Sequence, residues 1–142
     1  MPERKAFLNS KLREAAAKQP ELKRLKALLL RLGGDLLVAP SKPDQDVPML
    51  LEQGFVMSGP IKLKVMKSNS CHQNVALVWS KRKFGIVGIA TGYALTNDGL
   101  WRQHSWGILR FGVLETTSTR LTYFGIALQG ERADFFAENN PT

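Results

Sequence analysis

The chain holds a single cysteine, Cys71, in 142 residues. One cysteine excludes an internal disulfide and the disulfide framework of small secreted domains. No apolar run approaches the roughly 20 residues that a membrane helix requires, so no span is expected. Histidine is nearly as scarce, with only His72 and His104, and neither a Cys-x-x-Cys nor a His-x-x-x-His spacing is present. Cys71, His72, His104 and Glu115 are the one set of N, S and O donors to weigh for zinc, but adjacent ligands chelate poorly and no metal is expected. Gly85, Gly88 and Gly92 do not form a phosphate-binding fingerprint, and no cofactor is expected. Residues 1–12 carry Glu3, Arg4 and Lys5 among few apolar positions, which does not read as a signal peptide. The expected location is the cytoplasm, although a cargo exported through other signals would look the same.

What is present fits one domain spanning residues 1–142. A hydrophobic fraction of 44% and a charged fraction of 23% are those of an ordinary globular chain. At this length a domain buries roughly two-thirds of its unfolded surface and needs no metal or disulfide staple. The formal charge is +8, and two blocks carry most of it. Residues 1–40 hold nine Lys or Arg against four acids, and residues 61–83 hold Lys62, Lys64, Lys67, Lys81, Arg82 and Lys83 with no acid. Charge of this kind suits an acidic protein or a nucleic acid, for which Trp101, Trp106 and Tyr93 would offer stacking faces. A plain solvated surface, with the tryptophans in the core, is the simpler reading.

The first 34 residues read as helical. Leu8, Leu12 and the Ala15-Ala16-Ala17 run mark a helix over 5–18, broken at Pro20. Leu22, Leu25, Leu29 and Leu32 form the apolar stripe of a second helix that opens near Pro20-Glu21 and stops at Gly33-Gly34. A loop follows over 39–47, then a short helix over 48–53. Ile61, Leu63 and Val65 alternate with lysines like a half-buried strand. Ser68-Asn69-Ser70 ahead of Cys71 predicts a helix opening at or just before the cysteine, capped by Ser or Asn, and running to about Ser80. Strands are expected over 85–95, 100–109, 113–117 and 121–128, with Asn97-Asp98-Gly99 turning the first hairpin and Phe111-Gly112 the second. A short helix over 131–138 closes the chain. Helices, then sheet, then helix give an α+β class: N-terminal helices and a central cysteine-bearing helix packed on a C-terminal antiparallel sheet of about four strands.

Chemistry concentrates at Cys71. A helix start exposes amide N–H groups and the positive end of the dipole, both of which favour thiolate over thiol. A free cysteine is often an inert core residue, but Ser, Asn, His and Gln flank this one. His72 points about 100° away from Cys71 on the same helix and is a poor base for it. His104, in Trp101-Arg102-Gln103-His104-Ser105-Trp106, comes from another element and is the better candidate. Glu115 interrupts an apolar strand. An even loop pairing Ile108 with Val113 would put His104 and Glu115 on one face as diagonal neighbours, roughly 7–8 Å apart by backbone. An odd loop would separate them unless a bulge intervened, and the competing reading of Glu115 is an edge-strand charge that discourages aggregation. Asn69, Gln73 and the Cys71 backbone N–H are candidate oxyanion donors.

A cysteine opening a helix, then His104-Ser105-Trp106 on a strand, then Glu115 followed by Thr116 and Thr117 resembles the transglutaminase-like branch of the papain-like thiol fold. The likeness covers about residues 68–117, within a papain-like core of 61–138. Bacterial cell-wall peptidases of the same clan share the order of cysteine helix and histidine strand. The resemblance implies Cys71 as nucleophile, His104 as base and Glu115 as orienting acid; Trp101, Trp106 and Tyr93 are separate candidates for substrate contact. Two positions depart from the pattern: Glu115 stands in place of the family's Asp, and His72 where an aromatic residue often follows the cysteine. The expected function is thiol-dependent acyl transfer: hydrolysis of an amide or ester, or transfer to an amine. The alternative is a non-catalytic basic module that binds nucleic acid or an acidic protein.

Overall fold

The computed structural model describes residues 2–142 and has the expected α+β class. Helices α1 (Pro2–Lys18) and α2 (Glu21–Leu32) lead into a two-residue strand β1 (Leu36–Leu37), helix α3 (Val47–Gln53) and the short strands β2 (Phe55–Met57) and β3 (Ile61–Leu63). Helix α4 (Cys71–Lys81) then precedes four longer strands, β4 (Ile86–Leu95), β5 (Leu100–Leu109), β6 (Gly112–Glu115) and β7 (Thr122–Leu128), and α5 (Glu131–Glu138) follows them. No helix among the described residues is long and apolar enough to cross a membrane.

The sheet is larger than the four strands expected, and it is mixed. Its order is β2-β7-β4-β5-β6-β3, with β1 also paired to β5. The β3–β6 and β1–β5 pairs are parallel, the others antiparallel. Strands of two or three residues such as β1 and β2 are too short to show a period of two, which is why they escape a pattern reading. Ile61 to Leu63 do form a strand, but an exposed one, with Ile61 at 38% and Leu63 at 45%. The alternation with lysines therefore marks an open edge here, where a half-buried strand was expected.

Period two sorts the long strands into two faces. One packs beneath the helices: Leu22, Leu25 and Leu29 of α2 and Val75, Val78 and Trp79 of α4 share a core with Ile89, Tyr93, Trp101, Leu114 and Ile126. Burying each such leucine contributes about 1.5–3 kcal/mol. Leu32, the last of the α2 stripe, is left 42% exposed at the helix end. Ala90, Ala94, Trp106, Val113 and Tyr123 form a second, smaller cluster.

Strand β5 positions the site. Along one edge it pairs with β4 from Trp101 to Leu109. Along the other, β1 covers Leu100 and Trp101, and β6 covers Gly107 to Leu109. Among the described residues, 102–106 have no strand partner on that second edge, and α4 packs against β5 here.

Candidate active site

Cys71 is the first residue of α4, as the sequence indicates. Asn69 takes a left-handed conformation (φ 56°) that turns the chain into the helix. The buried Asn74 side chain fastens the approach by donating from Nδ2 to the Lys67 carbonyl at 2.7 Å. The expected side-chain cap is absent: Ser70 sits at the cap position but makes no capping hydrogen bond. The first turn of α4 therefore keeps its amide N–H groups free of a side-chain acceptor from Ser70.

His104 and Glu115 meet because the β5–β6 loop has two residues, Arg110 and Phe111. Ile108 pairs with Val113, the even register that puts His104, Trp106, Val113 and Glu115 on one face. The strands part after Gly107 and Leu114, and the two side chains close the diagonal, with His104 Nε2 and Glu115 Oε1 2.8 Å apart. Both are buried, at 2% and 0% exposure. β6 lies between β5 and β3, so Glu115 is no edge charge.

The carboxylate is fully engaged. Its Oε1 also accepts from the Tyr123 hydroxyl at 2.9 Å, and its Oε2 accepts from the Thr117 backbone N–H at 2.9 Å and the Thr117 hydroxyl at 2.8 Å. Burial pushes the Glu115 carboxyl up. The hydrogen bond and charge of His104, with the Thr117 donors, outweigh it and hold the group at about 2. Burial and the Glu115 charge push the Tyr123 phenol up, so it stays a donor. Trp106 stacks on the imidazole with centroids 5.9 Å apart.

The same ring acts on the thiol. With Nε2 on Glu115, Nδ1 is the nitrogen left for Cys71. Burial alone would raise the Cys71 pKa. A hydrogen bond and charge from His104, and a hydrogen bond from the Ser105 backbone N–H, together bring it below the ordinary thiol value. Ser105 pairs with Thr91 of β4 on one edge and lies between the stretches that β1 and β6 cover on the other. Burial opposes a charged imidazole at His104, yet its contacts with Cys71 and Glu115 raise its pKa. Both directions favour a thiolate–imidazolium pair.

His72 is engaged elsewhere. Its Nδ1 lies 2.5 Å from Ser105 Oγ, and Ser105 Oγ donates to Thr91 Oγ1 at 2.9 Å. Burial and the charge of His104 lower its pKa. His72 thus ties α4 to the opposite face of β5. The four potential zinc donors do not converge: among the described residues no group of three or more His, Cys, Asp or Glu side chains is placed to hold a metal ion.

A cleft of about 450 Å³ opens at Cys71 and His104. Asn69 lines it and Gln73 does not. Trp101, Trp106 and Tyr93, expected near a substrate, are each fully buried and correct that expectation. Trp101 donates to the Gly33 carbonyl at 2.9 Å, Tyr93 to the buried Asp44 carboxylate at 2.9 Å, and Trp106 lies behind His104. Arg102, Gln103, Thr117, Ser118 and Arg120 line the cleft instead. Only their polarity beside the His104 strand and after Glu115 could have singled them out. No carboxylate lines the cleft among the described residues. A larger recess near α5, about 720 Å³, contains neither a cysteine nor a histidine. Comparison of the chain with protein-family models, curated proteins and solved structures finds no match.

Proposed function

We propose that this protein is a thiol-dependent acyl-transfer enzyme, hydrolysing an amide or ester or passing its acyl group to an amine, of the transglutaminase-like or papain-like kind. One observation carries the reading: a buried imidazole sits between Glu115, at 2.8 Å, and the only cysteine of the chain, which opens a helix. Three groups drawn from separate elements serve a core poorly in this arrangement and serve nucleophilic catalysis well.

In this mechanism Cys71 Sγ attacks the substrate carbonyl carbon while the proton resides on His104 Nδ1. The developing oxyanion faces the Cys71 backbone N–H and, on the cleft wall, Asn69. Collapse of the tetrahedral adduct breaks the bond to the leaving group, which takes the proton from His104. Water or an amine then attacks the thioester, gives a proton back to His104 and releases Cys71. Glu115 stabilises the imidazolium and fixes its tautomer, and Thr117 and Tyr123 hold Glu115.

The test is covalent capture. With p-nitrophenyl acetate as probe, intact mass should show one acetyl group per chain, located on Cys71 and lost in Cys71→Ala. His104→Ala should slow its formation by about 10²–10⁴-fold. Acetylation that persists in Cys71→Ala, or is unchanged in His104→Ala, contradicts the assignment.

A further inference from the structure

The cleft at Cys71 continues into a second recess. A groove of about 320 Å³ runs between β3 and the far end of α4, and Val65 and Met66 line both it and the cleft. Leu63 and Phe84 give the groove an apolar wall, and Lys64, Lys81 and Lys83 rim it. Phe84 is presented there by a left-handed backbone (φ 59°), a conformation uncommon for a large residue. Lys62, Lys64, Lys81 and Lys83 pair with no carboxylate among the described residues.

The strand beside this groove is an open edge. β3 ends the sheet order, and its inner side is taken: the backbone N–H of Lys64 donates to the Glu115 carbonyl and that of Met66 to the Thr116 carbonyl, each at 2.8 Å. Alternation therefore turns the N–H and C=O groups of Leu63 and Val65 outward. Val65 is 70% exposed. An edge of this kind recognises an extended chain through its main chain, with side-chain pockets adding selectivity.

We propose that the occupant is an extended acidic polypeptide segment, which adds as a strand to the outer edge of β3 and runs past Val65 and Met66 to Cys71 as the enzyme's substrate. Charge decides the partner class. The lysines that keep two copies of this edge apart attract carboxylates. Nucleic acid fits less well, because Tyr93, Trp101 and Trp106 are buried and offer no stacking face. The substrate role rests on the acyl-transfer reading; the binding does not.

Two measurements separate them. A fluorescent acetyl-Glu-Val-Glu-Val-Glu-Gly amide is titrated against the protein beside its Lys counterpart. We expect the acidic peptide to bind at least about tenfold more tightly at low salt. That preference should vanish in Lys64→Glu with Lys83→Glu, survive Lys23→Glu with Arg24→Glu on α2, and weaken when the peptide amides are N-methylated. Equal binding, a preference that survives the Lys64 and Lys83 reversals, or indifference to methylation overturns the proposal. Saturating acidic peptide should also slow iodoacetamide alkylation of Cys71 severalfold, and no protection overturns the substrate role. If Cys71 alkylates no faster than a free thiol, the enzyme reading falls and the substrate role with it, while binding at the edge is judged by the titration alone.

Discussion

At the scale of residues, the buried ion network around Glu115 makes the sharpest demands. Its carboxyl is held at about 2 against an ordinary 4.5. A depressed acid stabilises the fold above its unfolded pKa, and that contribution disappears as the pH falls through the folded value. The stability gap between wild type and Glu115→Gln should therefore be widest above about pH 4.5 and close toward about pH 2 in urea titrations. His104 has the opposite sign. Its raised pKa gives stability that is full below the ordinary histidine value and is lost as the pH climbs through the raised one. Glu115→Gln should also cost about 10²–10⁴-fold in turnover of p-nitrophenyl acetate while leaving Cys71 in place, since the amide keeps the shape but not the charge that supports the imidazolium. Turnover within about twofold of wild type would remove Glu115 from the mechanism.

At the scale of elements, the β5–β6 hairpin assembles the site. Its two-residue loop keeps His104 and Glu115 on one face, and Gly112 closes it with φ 148°. A Cβ at Gly112 would lie 2.1 Å from the Pro60 carbonyl oxygen, so Gly112→Ala must push β3 off β6. We expect that variant to lose about 1–3 kcal/mol by denaturant titration and to weaken binding at the β3 edge. Unchanged stability would mean that the hairpin tolerates the shift.

These elements also show what a sequence reveals. The start of α4 was legible from the Ser-Asn-Ser run ahead of Cys71, whereas alternation alone left the parity of the β5–β6 loop open, and the Ile108–Val113 register decides it. The placement of β3 was not legible. An apolar–lysine alternation reads the same for a half-buried strand and for an open edge, and only the parallel pairing with β6 distinguishes them. The cap expected at Ser70 is absent, and Asn74 fastens the loop from inside the helix.

At the scale of the whole molecule, charge and burial decide what the surface can offer a partner. A net +8 does not by itself locate a partner, and the aromatic residues that suggested one in the sequence are consumed by the core. The fold class was legible from the order of helical and alternating segments. The cleft was not, because Arg102, Gln103, Ser118 and Arg120 come together only once β6 leaves β5 and the loop after Glu115 folds back.

For Cys71 to act as nucleophile, it must form a thiolate–imidazolium pair with His104 in the folded chain. The direct measurement is the rate of Cys71 alkylation by iodoacetamide from about pH 4 to about pH 10. The lowered thiol and raised imidazole pKa values predict a rate that rises at lower pH than that of a free thiol. In His104→Ala the profile should move back toward that of a free thiol. A wild-type rate that climbs through about pH 8.5 like that of a free thiol would contradict the pair, and with it the assignment of Cys71 as nucleophile.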